Sequence, residues 1–185
     1  MDTLRAFESH QEHDAPYVER LIRKRLNLND WERLVALNAR LLVQNNIPAT
    51  PESGNDFKHS LFSRGSHVFG VRNAPQAPLV GMARLHDTRE SGYSFYTAEA
   101  LLFDVSVLPG HENVGNAKRL VDACLLFARS RRIQTVGLEV HTHNHAAIRV
   151  YTKAGFVLHS TRTSPRTNGK EIGYYICRLP AHPTE

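Results

Sequence analysis

From Val105 the chain reads Val105-Ser106-Val107-Leu108-Pro109-Gly110-His111-Glu112-Asn113-Val114-Gly115-Asn116-Ala117-Lys118-Arg119, and it returns to a second run at Asn144-His145-Ala146-Ala147-Ile148-Arg149-Val150-Tyr151-Thr152-Lys153-Ala154-Gly155-Phe156. Between them lie an apolar stripe (Ala117, Leu120, Val121, Cys124, Phe127, Ala128) at helical spacing and the alternating segment Thr135 to Val140. The order is strand, glycine-containing turn, amphipathic helix, strand, helix. A helix that begins just beyond a strand presents unpaired backbone N–H groups and the positive end of its dipole, a setting that holds an anionic group. The second helix delivers Tyr151 and stops at Gly155.

Outward from this segment the pattern is of one alternating α/β unit. Tyr17 to Arg25 alternates as a strand, and Asn29 with Glu32 three residues on predicts a capped start for a helix carrying Trp31, Leu34, Val35, Leu37, Leu41 and Leu42. Pro48 and Pro51 break it within Asn45 to Ser53, and a short helix follows over Asp56 to Ser63. Strands are expected at His67 to Val71, Pro78 to Leu85 and Tyr96 to Leu108, with turns at Asn73 to Ala77 and at Glu90-Ser91-Gly92. Phe156 to Thr161 and Glu171 to Leu179 form a last hairpin with Asn168-Gly169 in its turn. Residues 1–16 read as a polar arm, 17–180 as a single domain and 181–185 as a tail.

The 185 residues suffice for a full hydrophobic core, and 41% hydrophobic with 22% charged residues is the composition of a folded domain. No stretch approaches the ~20 apolar residues of a membrane span. The start, Met1-Asp2-Thr3-Leu4-Arg5, lacks the pattern of a secretion signal, and Cys124 and Cys177 fall in apolar patterns, so a cytoplasmic protein with reduced thiols is expected. The net charge of +5 is spread over the chain, without the aromatic-basic interleaving that supports base stacking; this weighs against nucleic acid as a partner. His141, His143 and His145 alternate, but no carboxylate or cysteine cluster accompanies them, and they read as polar loop and helix-start residues rather than metal ligands.

Two motifs in the opening stretch carry a resemblance. Gly115 and Ala117, preceded by Val107-Leu108-Pro109, match the phosphate turn of the GNAT superfamily of acetyl-CoA-dependent N-acetyltransferases. Asn144, Ala147, Tyr151 and Gly155-Phe156 match that family's second signature. The resemblance spans Val18 to Leu179 in element order. It implies a mixed, twisted, mostly antiparallel sheet with helices on both faces, splayed between the long strand and Thr135 to Val140 to admit the cofactor. It implies acetyl-CoA as cosubstrate, held by Val105, Val107, the turn Glu112, Asn113, Val114, Gly115, Asn116, Ala117 and Lys118, and Asn144. It further implies direct attack of a primary amine, small-molecule or peptide, in a ternary complex. Val107 N–H would stabilise the oxyanion and Tyr151 would protonate the departing thiolate.

For the proton on the amine, the candidates are Glu99 and Asp104, with water as the alternative. Simple alternation puts Leu101, Phe103, Val105 and Val107 on one face and Leu102, Asp104 and Ser106 on the other, an assignment that a bulge would alter. One departure stands out: Glu112 occupies the position of an Arg or Gln in the family, so it either turns away from the phosphates or weakens binding. Asp87, Glu90 and Glu99 hint at a cationic acceptor. An acyl-CoA-binding module without turnover and a basic nucleic-acid-binding domain are the rival readings, and a homodimer is compatible with the sequence.

Overall fold

The computed structural model describes residues 16–44, 57–92, 97–163 and 169–180. In chain order the elements are β1 (Tyr17–Leu21), α1 (Leu28–Gln44), α2 (residues 57–61), β2 (Ser66–Arg72), β3 (Leu79–Asp87), α3 (Thr88–Ser91), β4 (Ala100–Val107), α4 (Asn116–Ser130), β5 (Thr135–His141), α5 (His145–Lys153), β6 (Val157–Thr163) and β7 (Glu171–Arg178). The seven strands form one sheet in the order β1-β2-β3-β4-β5-β7-β6, antiparallel at every junction except β4–β5. This is the mixed, mostly antiparallel sheet the resemblance implies. Among the described residues no helix is long and apolar enough to cross a membrane.

Helices cover both faces because alternate strand residues are apolar on both sides. On one face α4 contributes Leu120, Val121, Cys124 and Ala128, and α5 contributes Tyr151, to a core that takes in Leu85, Leu102, Val136, Leu138 and Tyr175 from the strands. On the other, Leu34 and Leu37 of α1 and Leu61 of α2 pack on Val68, Leu79 and Met82. Both cysteines are buried as free thiols.

The element boundaries depart from the sequence expectation where side chains intervene. Strand β1 ends at Leu21 because Arg23–Arg25 close a 3-10 turn, with Arg25 N–H donating to Ile22 O at 2.8 Å. Helix α1 is capped at Asn27 and not at Asn29. Asn27 Oδ1 accepts from Asp30 N–H at 2.9 Å while Asp30 Oδ2 accepts from Asn27 N–H at 3.4 Å, so the reciprocal acid is Asp30 and not Glu32. Asp30 is buried and is held there by Arg72 Nη2 at 2.8 Å, which fixes the register of the cap. The expected turn at Glu90-Ser91-Gly92 is the single-turn helix α3, capped by the Asp87 side chain and closed by Gly92. The long strand begins at Ala100, later than Tyr96. The arm up to residue 15, the Asn45 to Ser53 break, Asn168 and the tail lie outside the described residues.

Strand β4 carries a bulge. Arg84 pairs with Phe103 and Met82 with Ser106, so two residues of β4, Asp104 and Val105, stand opposite Ala83 alone, and Asp104 takes a left-handed backbone (φ 55°). The bulge overturns the simple alternation. Leu101 and Phe103 face Tyr174, whereas Val105 and Val107 join Ala100 and Leu102 on the face covered by α4 and α5.

Candidate active site

Strands β4 and β5 pair at only two positions, Ala100 with Val136 and Leu101 with Gly137, and then part. The remaining length of β4, to Val107, runs beside a slot, as the resemblance implies. Leu108 donates its N–H to Val80 O at 2.8 Å. Because successive residues of a strand alternate their hydrogen-bonding direction, the N–H of Val107 turns the other way, into the slot. Val107 thus presents its N–H toward the slot.

The turn beyond Val107 leads straight into α4. Gly115 stands at the helix N-cap with φ 87°, a conformation that costs other residues energy, and a Cβ there would lie 3.1 Å from Arg119 Nη1. Asn113 is also left-handed (φ 59°). Asn116 is buried and donates its Nδ2 to His111 O at 2.9 Å, pinning the turn, while Ala117 packs against the core. The backbone N–H groups of the first α4 turn have no acceptor within the helix and open at the end of β4. The one acid of this turn, Glu112, forms an ion pair with Arg40 of α1. Lys118 is paired with Asp122, and Val114 is exposed.

Tyr151 lies on α5 in the same packed cluster as Val105 and Val107 of β4 and Leu138 and Val140 of β5, the two lips of the slot. Its ring meets Phe156 edge-on at 6.0 Å, and burial, with a lesser contribution from Cys124, pushes its phenol well above the usual tyrosine range. A phenol in that state stays protonated at neutral pH, and burial makes it a weaker acid than a free tyrosine. Asn144 caps α5, its Oδ1 accepting from Ala147 N–H at 3.1 Å, and remains exposed.

The two candidate acids occupy different places. Asp104 sits on the bulge with Oδ2 buried and ion-paired to Arg84 Nε at 2.8 Å. Burial raises its pKa, and Arg84 opposes this without cancelling it. Glu99 lies at the closed end of the slot, about 25 Å of strand from Val107 at roughly 3.3 Å per residue. There its Oε2 accepts from Gln134 N–H at 2.6 Å. A third acid on the β5 side, Glu139, is not singled out by the sequence because its partner, Arg162 on β6 at 2.7 Å, is distant in the chain. The acids that hinted at a cationic acceptor are engaged internally: Asp87 is fully buried against Arg89, Glu90 pairs with Arg131, and Glu99 holds Gln134. Among the described residues no three His, Cys, Asp or Glu side chains gather as a metal site. A hollow of about 300 Å³ between Leu28, Trp31, Glu32, Val35 and Lys58 is lined by α1 and α2 residues alone and takes in none of the slot residues.

A sheet that splays beside a helix N-terminus, with a buried tyrosine in the core cluster shared by both strands, fits an acyl-CoA-dependent transferase. The chain belongs to the acetyltransferase (GNAT) family, whose model matches residues 31–156. It is similar to the N-alpha-acetyltransferase RimI of Mycobacterium tuberculosis, at 31% identity over 128 residues, 69% of this chain and 72% of that protein. It is also similar to the [ribosomal protein bS18]-alanine N-acetyltransferase of Escherichia coli K12, at 33% identity over 75 residues, 40% of this chain and about half (51%) of that protein. In fold it matches a GNAT family acetyltransferase from Elizabethkingia anophelis with acetyl-CoA bound (TM-score 0.62, 10% identity, 90% of this chain and 99% of that one). The protein is therefore an acetyl-CoA-dependent N-acetyltransferase.

Proposed function

We propose that residues 17–180 act as one catalytic domain that moves the acetyl group of acetyl-CoA directly to a primary amine in a ternary complex, and that the acceptor is the α-amine of a polypeptide. The observation that carries the mechanism is the unpaired edge of β4, where Val107 N–H faces the slot beside the α4 N-terminus. The acceptor class is supported by the two relatives, whose names specify an N-alpha-acetyltransferase and an alanine N-acetyltransferase of a ribosomal protein. The internal pairing of Asp87, Glu90 and Glu99 removes the hint of a cationic acceptor that these acids gave in the sequence.

The amine nitrogen attacks the thioester carbonyl carbon, forming the C–N bond, while Val107 N–H receives the developing oxyanion. Collapse breaks the C–S bond, and Tyr151 gives its phenolic proton to the thiolate. The proton released from the amine passes to Asp104, whose burial makes it a stronger base than an ordinary carboxylate, and returns through water to the Tyr151 phenolate, which restores both groups. The amides of Gly115, Asn116, Ala117 and Lys118 hold the pyrophosphate, with Asn113 and Val114 shaping the turn and Asn144 beside the cofactor's pantetheine arm at the start of α5. The two buried thiols are consistent with action in the cytoplasm. The test is thiol release from acetyl-CoA with peptides bearing a free α-amine, Nα-blocked lysine peptides and polyamines. Turnover confined to the first group is the expected result; turnover confined to either other group would reassign the acceptor.

A further inference from the structure

Helix α1 crosses the reacting end of β4: Ser106 Oγ donates to Leu37 O at 3.3 Å. One helical turn further on, Arg40 reaches the strand-to-helix turn, where Nη2 pairs with Glu112 Oε1. Glu112 stands just ahead of Gly115, at the mouth of the α4 N-terminus. A lone carboxylate there would oppose any phosphate that the amides attract. Of the other cations at this end, Lys118 is paired with Asp122, while Arg119 keeps its charge and holds Val114 O through Nη1 at 2.7 Å. Arg40 is not exhausted. Among the described residues its Nε and Nη1 have no hydrogen-bond partner, and a quarter of its side chain (25%) remains exposed. A guanidinium presents five N–H donors, enough to hold a carboxylate on one edge and a phosphate on the other.

We propose that Arg40 is a cofactor-binding residue of this chain: it neutralises Glu112 and adds, from α1, a second phosphate-directed guanidinium beside that of Arg119. This rests on the acetyl-CoA reading of the slot. Helix α1, packed on β3 and β4, thereby also reaches the cofactor turn.

The test is calorimetric titration of the full chain and its Arg40→Gln, Glu112→Gln and double variants with acetyl-CoA and with S-acetyl-pantetheine, which keeps the thioester arm and has no phosphate. Arg40→Gln is expected to weaken acetyl-CoA binding about tenfold or more and to leave S-acetyl-pantetheine binding unchanged. Glu112→Gln is expected to bind acetyl-CoA at least as tightly as the parent, and the double variant to recover part of the loss. Arg40→Gln binding acetyl-CoA like the parent, an equal loss for both ligands, or a comparable loss in Glu112→Gln would each overturn the inference while leaving the acetyltransferase intact. Should Arg40→Gln fail to fold, the Glu112→Gln result decides alone. A parent chain that binds no acetyl-CoA overturns the slot reading, and this inference with it.

Discussion

Glu99 Oε2 accepts the backbone N–H of Gln134 at 2.6 Å, and Glu99 N–H donates to Thr135 Oγ1 at 3.0 Å, so one residue ties the entry of β4 to the entry of β5. Only two ladder pairs follow before the strands part. The side chain thus sits where the slot is hinged shut.

That position predicts a structural phenotype. Glu99→Ala should lower the unfolding free energy by about 1 kcal/mol, less than the roughly 1.5–3 kcal/mol of a buried charge-assisted hydrogen bond because the side chain is 35% exposed. Its kcat should stay within about threefold of the parent, since proton transfer by a positioned acid is worth about a hundredfold or more. Urea melts and steady-state thiol release measure both. A hundredfold fall in kcat with unchanged stability would move the base to Glu99.

Tyr151 makes the opposite prediction. Tyr151→Phe keeps the ring packed against Phe156 and removes only the hydroxyl, so stability and acetyl-CoA affinity should hardly change. The loss should appear in kcat, about a hundredfold or more for a missing general acid. Because burial holds the phenol in its protonated form, no basic limb from Tyr151 should appear in the parent's rate profile below about pH 10. A variant with parental kcat would leave Tyr151 as a core residue only.

The left-handed bulge at Asp104 yields a pH dependence. Its folded pKa lies above its ordinary value, through burial that Arg84 only partly offsets, so the native state binds the proton more tightly than the unfolded chain. Its contribution is therefore fully favourable below the unfolded pKa and is lost as pH rises through the folded one. Asp87 acts in the reverse sense: burial pushes its pKa up, but hydrogen bonds and charge from Arg89 outweigh this and hold it low, so its stabilisation is lost as pH falls through that lowered value. Asp104→Asn should accordingly remove the decline in stability above about pH 4 and leave the acid-side loss in place, as read from urea midpoints between about pH 3 and 7. It should also abolish the acidic limb of kcat/KM. An unchanged pH profile in both readouts would sink the assignment of Asp104 as base.

What can be read from the sequence follows from how local each determinant is. Helix α5 is legible because its cap, its tyrosine face and its stop lie within Asn144 to Gly155, and the α4 turn is legible because Gly115 and the following apolar stripe are contiguous. The β4 bulge is not, since it exists only in the pairing with β3, and it moved Leu101 and Phe103 to the face opposite Val105 and Val107. The α1 cap moved from Asn29 to Asn27 because Asp30 answers to Arg72, 42 residues away. Glu112 reads as a defect in the phosphate turn until Arg40, 72 residues earlier, is brought beside it.

Gly137 tests the point at which the strands part. It is the last β5 residue paired with β4, and a Cβ placed on it would lie 2.6 Å from Tyr174 Oη and 2.9 Å from Tyr174 Cε2. Tyr174 is buried with Ala98 and Leu101, so its ring has little room to retreat. Gly137→Ala should therefore destabilise the fold by about 1–3 kcal/mol, the range for an overpacked core position. The cost should be coupled to the tyrosine. In a Tyr174→Leu background the same substitution should cost markedly less, which a double-mutant cycle by urea unfolding would show. If Gly137→Ala is as stable as the parent, or costs the same in both backgrounds, then Tyr174 does not press on the apex of the slot.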